Sequence, residues 1–218
     1  IYMFQINEFE NATSLPFLKW LGSKMWLKKE IKFLVDKIEP KTYHEPFLGS
    51  GAVFFYNNFN NSYLNDLNKE LITTYCVLKN SPLKLIEKLN SFDQNEEMFN
   101  QLKKSYFQDD IMIASRFIFL NKMSYNGLYR VNQKGEFNAA YGKRKFDKDR
   151  LTKILMSCSK KLRHTKISNF DFRETSNFIS KGDLVFLDPP YSISEKTGFV
   201  RYTSKQFKSF DQADLINY

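Results

Sequence analysis

Apolar and polar positions along the chain fall into two kinds of block, short runs that suit strands and longer ones with helical spacing. In residues 23–38, Leu27, Ile31, Leu34, Val35 and Ile38 recur three or four positions apart. An amphipathic helix is predicted there, with Ser23 as its cap and Pro40 beyond its end. Residues 43–47 read as a short strand running into Leu48-Gly49-Ser50-Gly51, with a helix opening at Ala52, and 62–65 read as a second strand. Helices are predicted over 67–79, 82–91, 94–106 and 110–123. In the second of these Ser81 is the cap and Pro82 the first helical residue. A polar, aromatic stretch follows, with glycines at 127, 135 and 142, and residues 131–139 look like a hairpin around Gly135. Residues 147–162 return to helix. Strands three and four are read at 166–169 and 183–187, with a short helix between them.

Strands alternating with helices imply an α/β scaffold with a mainly parallel sheet. The block at 70–150 is too long for a simple crossover and is expected to be an inserted subdomain. Charge sharpens that division. The chain of 218 residues has 33 Lys+Arg against 24 Asp+Glu, a net +9. Residues 113–166 hold 14 of the basic residues and three acids, so this segment carries +11 and the rest −2. Charge that concentrated points to a polyanion-binding face on a near-neutral scaffold; an ordinary lysine-rich surface is the other reading. Cys76 and Cys158 lack CxxC spacing, and His44 and His164 are isolated, which argues against disulfides and metal. The apolar runs are too short to span a bilayer and no signal-type core precedes residue 30, so a soluble intracellular protein is expected.

Four constellations carry chemistry. In 44–51, HEPFLGSG, a strand ends in a glycine-bracketed turn before a helix, which lets backbone approach a ligand closely. Asp66, at the end of the second strand, can accept hydrogen bonds from ribose hydroxyls. The spacing lacks the third glycine of a dinucleotide fingerprint and the GK[ST] of a P-loop. In 188–191, DPPY, a carboxylate follows the apolar strand 184–187, at the edge where parallel sheets bind ligands. Its two prolines remove two N–H donors. The Asp188 carboxylate and the Pro189 carbonyl then form an acceptor-rich corner beside the aromatic face of Tyr191, suited to the exocyclic amine of a planar base. Residues 16–24, PFLKWLGSK, place a Trp and two Lys before the first helix. Residues 121–138 interleave basic, amide and aromatic groups of the kind that read base edges or wedge between them.

In this order, PFLKWxGxK, EPFLGSGAVFF, LNDLN, NGLYRxNxxGEFN and DPPY resemble the Dam-type, alpha-group (D12 class) DNA adenine-N6 methyltransferases, over nearly the whole chain. The resemblance implies a Rossmann-like, S-adenosylmethionine-dependent methyltransferase sheet with a helical and hairpin target-recognition insert. It divides the chain into a cofactor-binding part at 1–69, a DNA-binding insert at 70–150, and a remainder with the catalytic motif at 151–218. Trp20, Gly22 and Lys24 would help bind the methionine part of the cofactor. Glu45, Pro46, Phe47, Gly49, Ser50 and Gly51 would form the main cofactor loop. Asp66 would take the ribose hydroxyls, and Asp171 and Phe172 would flank the cofactor adenine. Asp188, Pro189, Pro190 and Tyr191 would be the catalytic motif. Lys19 and Arg130 would contact guanines, with Tyr125, Asn126 and Leu128 beside them, and GATC is the leading target.

The resemblance also implies that the target adenine is flipped out of duplex DNA, without a metal, by a monomer that is cytoplasmic and nucleoid-associated in a prokaryote or phage. It allows a cognate restriction endonuclease acting separately. Two departures fall in the insert: Asn138-Ala139-Ala140-Tyr141-Gly142 stands where the family has NVPxG, and Arg144 where it has tyrosine. The family's sheet has seven strands, three of them after the catalytic motif, so a domain lacking its C-terminal strands is expected. Two alternatives stay open: an inactive DNA-binding remnant, or a methyltransferase for cytosine N4, RNA or protein glutamine, whose families carry SPPY or NPPY.

Overall fold

The computed structural model describes residues 14–132, 134–190, 209–216 and 218. Among these, four parallel strands, β1 (Tyr43–Glu45), β2 (Ser62–Asn65), β3 (Thr165–Ser168) and β4 (Leu184–Val185), form one sheet in the order β3-β2-β1-β4. In register, Tyr43 lies opposite Ser62 on one side and Leu184 on the other. Every residue of β1 and β2 is buried, as expected of a parallel sheet covered on both faces. The chain steps outward from β1 to β2 to β3 and then returns to the far side of β1 as β4. The strand order therefore reverses between β1 and β4, and ligands of such sheets bind in the crevice outside the carboxyl ends at that reversal.

The predicted first helix is shorter than its periodicity implies. A 3₁₀ turn, Met25–Leu27, precedes α1 (Lys28–Ile38), and Leu27 stands at the N-cap without a side-chain bond. Ser23 is not the cap: its hydroxyl accepts from the Ser50 hydroxyl at 3.3 Å, because the chain turns at Gly22 before the helix begins. The apolar stripe is also less buried than expected. Within α1 Val35 is buried, whereas Leu34 and Ile38 are exposed. Glu39 ends the helix in the left-handed region, followed by Pro40.

After β1 comes α2 (Ala52–Tyr56), only five residues long, its apolar side chains sealed in the core. Between β2 and β3 run α3 (Lys69–Asn80), α4 (Pro82–Asn90), α5 (Glu96–Lys104), α6 (Asp110–Met123) and α7 (Lys148–Leu162). Asn68, Asn95, Asp109 and Asp147 cap α3, α5, α6 and α7 by accepting backbone N–H bonds. At Ser81 the α4 N-cap makes no side-chain bond, although Pro82 takes the first helical position as predicted. Residues 114–121 of α6 are all buried, since this helix is apolar nearly all round and packs among α3, α4 and α5. The hairpin is present as a pair of bridges, Val131 with Phe137 and Ser124 with Tyr141. One apolar core runs from the scaffold into the helical block. Further along the chain are α8 (Phe172–Thr175) and α9 (Ser209–Ile216).

Candidate active site

The carboxyl ends of the four strands meet in one place. Leu48 N–H bonds the Asn65 carbonyl at 2.9 Å, holding the 46–51 loop against the end of β2. Asn65 is itself buried and stitches three loops together. Its amide donates to the Pro46 carbonyl at 3.1 Å and the Phe170 carbonyl at 3.0 Å. Its oxygen accepts from the Ser168 hydroxyl at 2.7 Å and Phe170 N–H at 2.8 Å. Asp66, next in sequence, accepts Gly49 N–H at 3.0 Å with one oxygen and Asn68 N–H at 2.9 Å with the other.

Gly49 is required by both backbone and space. Its φ of +49° is left-handed, and a Cβ there would sit 2.8 Å from the Trp20 ring. Trp20 in turn stacks on Tyr129 at 5.4 Å between centroids and on Phe117 at 6.4 Å. The segment at 16–24 is therefore clamped between the glycine loop and the helical block. Phe17 anchors it from beneath, edge-on to Phe55 and Tyr75.

Across the reversal point lies Asp188, just after β4. Phe186 N–H bonds the His44 carbonyl at 2.8 Å, extending the β4 ladder toward it. Lys24 Nζ donates to Asp188 Oδ1 at 2.6 Å and to the Gly22 carbonyl at 2.8 Å. This ion pair joins two motifs 164 residues apart. Pro189, half-buried, and Pro190, exposed, follow it, and Tyr191 lies outside the described residues. Glu45, at the end of β1, is buried and accepts from the Tyr43 hydroxyl at 2.9 Å. Burial pushes its carboxyl up to about 8; the Tyr43 hydroxyl opposes this, and the negative charges of Asp188 and Asp66 add to it. Burial also raises Asp66, against its backbone N–H bonds. Among the described residues the crevice thus gathers the carboxyl groups of Glu45, Asp66 and Asp188 and the ammonium of Lys24.

Asp171 caps α8 in a reciprocal pairing with Glu174 and also accepts from the Arg173 guanidinium at 2.9 Å. Phe172 is buried, 5.2 Å from Phe47 between ring centroids. Arg173 reaches on to Asp211 and Asp214, both at 2.6 Å, so α9 is tied to this corner.

A second cluster forms where α6 ends. Residues 125–127 make a 3₁₀ turn with Asn126 at φ +54°, and Tyr125 and Asn126 are exposed. Leu128 is half-buried. Arg130 is exposed, and its guanidinium donates to the Asn138 carbonyl at 3.2 Å across the hairpin. Lys19 lies against this turn: its aliphatic stem fills the space where Gly127 lacks a Cβ. Residues expected to act together, Lys19 with 125–130, are therefore adjacent although more than a hundred positions separate them in the chain. Lys122 adds to the positive field; burial, and then the nearby Lys19, lower it to about 8.

Sequence reasoning missed Asn65 and Asn121 as positioning groups and the Lys24–Asp188 pair. Asn65 stands inside LNDLN and Asn121 opens the basic stretch, but neither carries a signal of its own in the sequence. Among the described residues, no group of three or more His, Cys, Asp or Glu could hold a metal, and no helix is long and apolar enough to cross a membrane.

A parallel sheet of order 3-2-1-4, with a glycine loop after β1 and an acid after β4, defines a Rossmann-like scaffold. The chain belongs to the D12 class N6 adenine-specific DNA methyltransferases, whose family model matches residues 20–218. It is 35% identical to the type II methyltransferase M.MjaIII of Methanocaldococcus jannaschii, over 93% of this chain and 78% of that protein. It is 32% identical to the DNA adenine methylase of Haemophilus influenzae, over 93% and 73%. It is 33% identical to the DNA N-6-adenine-methyltransferase of Escherichia phage P1, over 96% of this chain and 28% of that protein.

Proposed function

We propose that the protein transfers a methyl group from S-adenosylmethionine to N6 of an adenine flipped out of duplex DNA, in GATC or a related site. The observation that carries this reading is Asp188, set at the reversal point of the sheet and paired with Lys24 from the segment that also touches the glycine loop. The donor set fits the cofactor: two carboxyl groups, those of Glu45 and Asp66, suit a sulfonium, an ammonium and ribose hydroxyls, and one lysine suits a carboxylate. Glu45 and Asp66 would hold the first three, with Asp171 and Phe172 beside the adenine, Trp20 and Gly22 lining the methionine end, and Lys24 taking the methionine carboxylate. Pro46, Phe47, Ser50 and Gly51 complete the loop. When bound, S-adenosylmethionine supplies an electrophilic methyl group.

The remaining chemistry belongs to the chain. Lys24 now occupies one oxygen of Asp188. A carboxylate competing for Lys24 leaves Asp188 available to the exocyclic amine of adenine. Asp188 and the Pro189 carbonyl then accept hydrogen bonds from the two N6 hydrogens and stabilise the positive charge that develops on nitrogen, an electrostatic contribution, and that nitrogen afterwards releases one of the two protons to solvent. Pro190 stiffens this corner, and Tyr191 offers a stacking face for the base. Extrusion is necessary because N6 is inaccessible inside the stack. The residues 70–150 act as the recognition subdomain, with Lys19 and Arg130 reading guanine and Tyr125, Asn126 and Leu128 packing beside the site.

The test is a methylation assay on duplex DNA with Asp188→Asn. Turnover is expected to fall by about two orders of magnitude or more, while DNA affinity, measured by fluorescence anisotropy, stays close to wild type. Turnover close to wild type in the variant would remove Asp188 from the mechanism. Base-modification sequencing of DNA from a host expressing the gene identifies the site; N6-methyladenine at no motif would overturn the reading.

A further inference from the structure

Asn121 is fully buried at the C-terminal end of α6, and its amide bonds two distant segments. Its oxygen accepts Lys19 N–H at 3.0 Å. Its nitrogen donates to the Lys19 carbonyl at 2.8 Å and the Gly127 carbonyl at 3.1 Å. One side chain thus binds both backbone groups of Lys19, as a neighbouring strand would, and ties them to the 125–127 turn. Ser124 supports the same turn, its hydroxyl donating to the Asn121 carbonyl at 3.2 Å and the Leu128 carbonyl at 3.0 Å. Tyr125 N–H bonds the Ala140 carbonyl at 2.8 Å, and Asn138 N–H bonds the Arg130 carbonyl at 2.7 Å, linking the turn to the far side of the hairpin. Lys19 precedes Trp20, whose ring lies on Gly49.

We propose that Asn121 is a positioning residue for sequence recognition: it locks Lys19, the 125–128 turn and Arg130 into one reading unit. The proposal rests on the DNA-reading role assigned above to Lys19 and Arg130. Being fully buried, Asn121 touches no base itself. Its amide is matched to the task, because Lys19 presents one donor and one acceptor and Gly127 a second acceptor, and only a carboxamide offers an acceptor and two donors from one planar group. Aspartate keeps the shape and loses both donors; alanine loses all three bonds.

Asn121→Ala and Asn121→Asp in the full chain test this, with Asn57→Ala as control. Asn57 is also buried, but its amide donates to the Val53 carbonyl within its own helix turn, at 2.8 Å, and links no distant segment to the recognition hairpin. Three quantities are read for each protein: the thermal midpoint, the affinity for S-adenosylhomocysteine, and the ratio of methylation rates on a duplex with the site found by sequencing and on duplexes with one guanine of that site changed. Both Asn121 variants are expected to lose discrimination at guanine by about tenfold, the scale of one guanine contact, with S-adenosylhomocysteine affinity unchanged. The Asn57 variant is expected to lower the thermal midpoint and keep discrimination. Discrimination intact in both Asn121 variants overturns the proposal. So does a loss that the Asn57 variant shares, since that reports stability alone. A wild-type chain that methylates no duplex overturns the functional reading instead, and the proposal with it.

Discussion

Glu45 illustrates how one residue type takes its chemistry from its surroundings. At the end of β1 it is buried beside two other acids, so its carboxyl holds a proton up to about pH 8. Its folded-state pKa lies above the unfolded value. The folded state therefore keeps a proton that the unfolded chain has already released, and Glu45 reduces stability progressively as pH rises from 4.5 to about 8, with no further loss above that. A cationic ligand needs the ionised form, so binding must expel that proton. Affinity for S-adenosylmethionine is expected to rise with pH, by at most about tenfold per unit, and to level off above about 8. Glu45→Gln should bind more weakly and without this slope. Calorimetry in two buffers of different ionisation enthalpy measures the proton released, and no buffer dependence in the wild type would remove Glu45 from the cofactor site. The acid itself is legible in EPFLGSG; its protonation is not, because burial and the approach of Asp66 and Asp188 come from other strands.

At the scale of elements, the segment 16–24 and the glycine loop act as one piece. Gly49 is left-handed and has the Trp20 ring against it, so Gly49→Ala combines backbone strain of about 1–2 kcal/mol with displacement of the indole. Denaturant unfolding should register that loss. Cofactor affinity should fall further than DNA affinity, since the loop moves while the 125–130 turn remains pinned by α6. Equal losses in both would mean that the loop and the turn do not respond separately. Element positions are largely readable from periodicity and caps: α6 spans the residues its spacing predicts, and Asp147 caps α7. The first helix begins later than its spacing implies, because Gly22 lets the chain turn and engage Ser23 with the loop. Its apolar stripe has the pattern of a core face, yet Leu34 and Ile38 are exposed.

For the whole molecule, part of the excess charge is spent inside the fold. Arg116 is buried, its guanidinium on Glu70 at 3.2 Å and on the Leu102 carbonyl at 2.7 Å. Lys161 donates to the carbonyls of Phe55 and Asn57 at 2.7 and 2.9 Å, holding α7 to the loop after α2. Both lie within the +11 segment and serve the fold. Lys143, Arg144 and Lys145 are exposed beside the hairpin and are better placed for phosphates. Replacing all three with Gln should weaken DNA binding at every sequence alike and flatten the salt dependence of the binding constant by about 0.9 for each phosphate no longer neutralised. An unchanged slope would move the phosphate-binding residues elsewhere.

The sequence by itself determined the elements, their α/β alternation and the residue types of the site, because those depend on local spacing and on motifs contiguous in the chain. Tertiary structure alone decided the strand order that brings Glu45 and Asp188 to one crevice, the pairing of Lys24 with Asp188, and the joining of Lys19 to the 125–127 turn through Asn121. Each of these brings together residues far apart in the chain. Contacts of that kind leave no local pattern: a buried asparagine reads the same in sequence whether it is a link between segments or a solvated surface group.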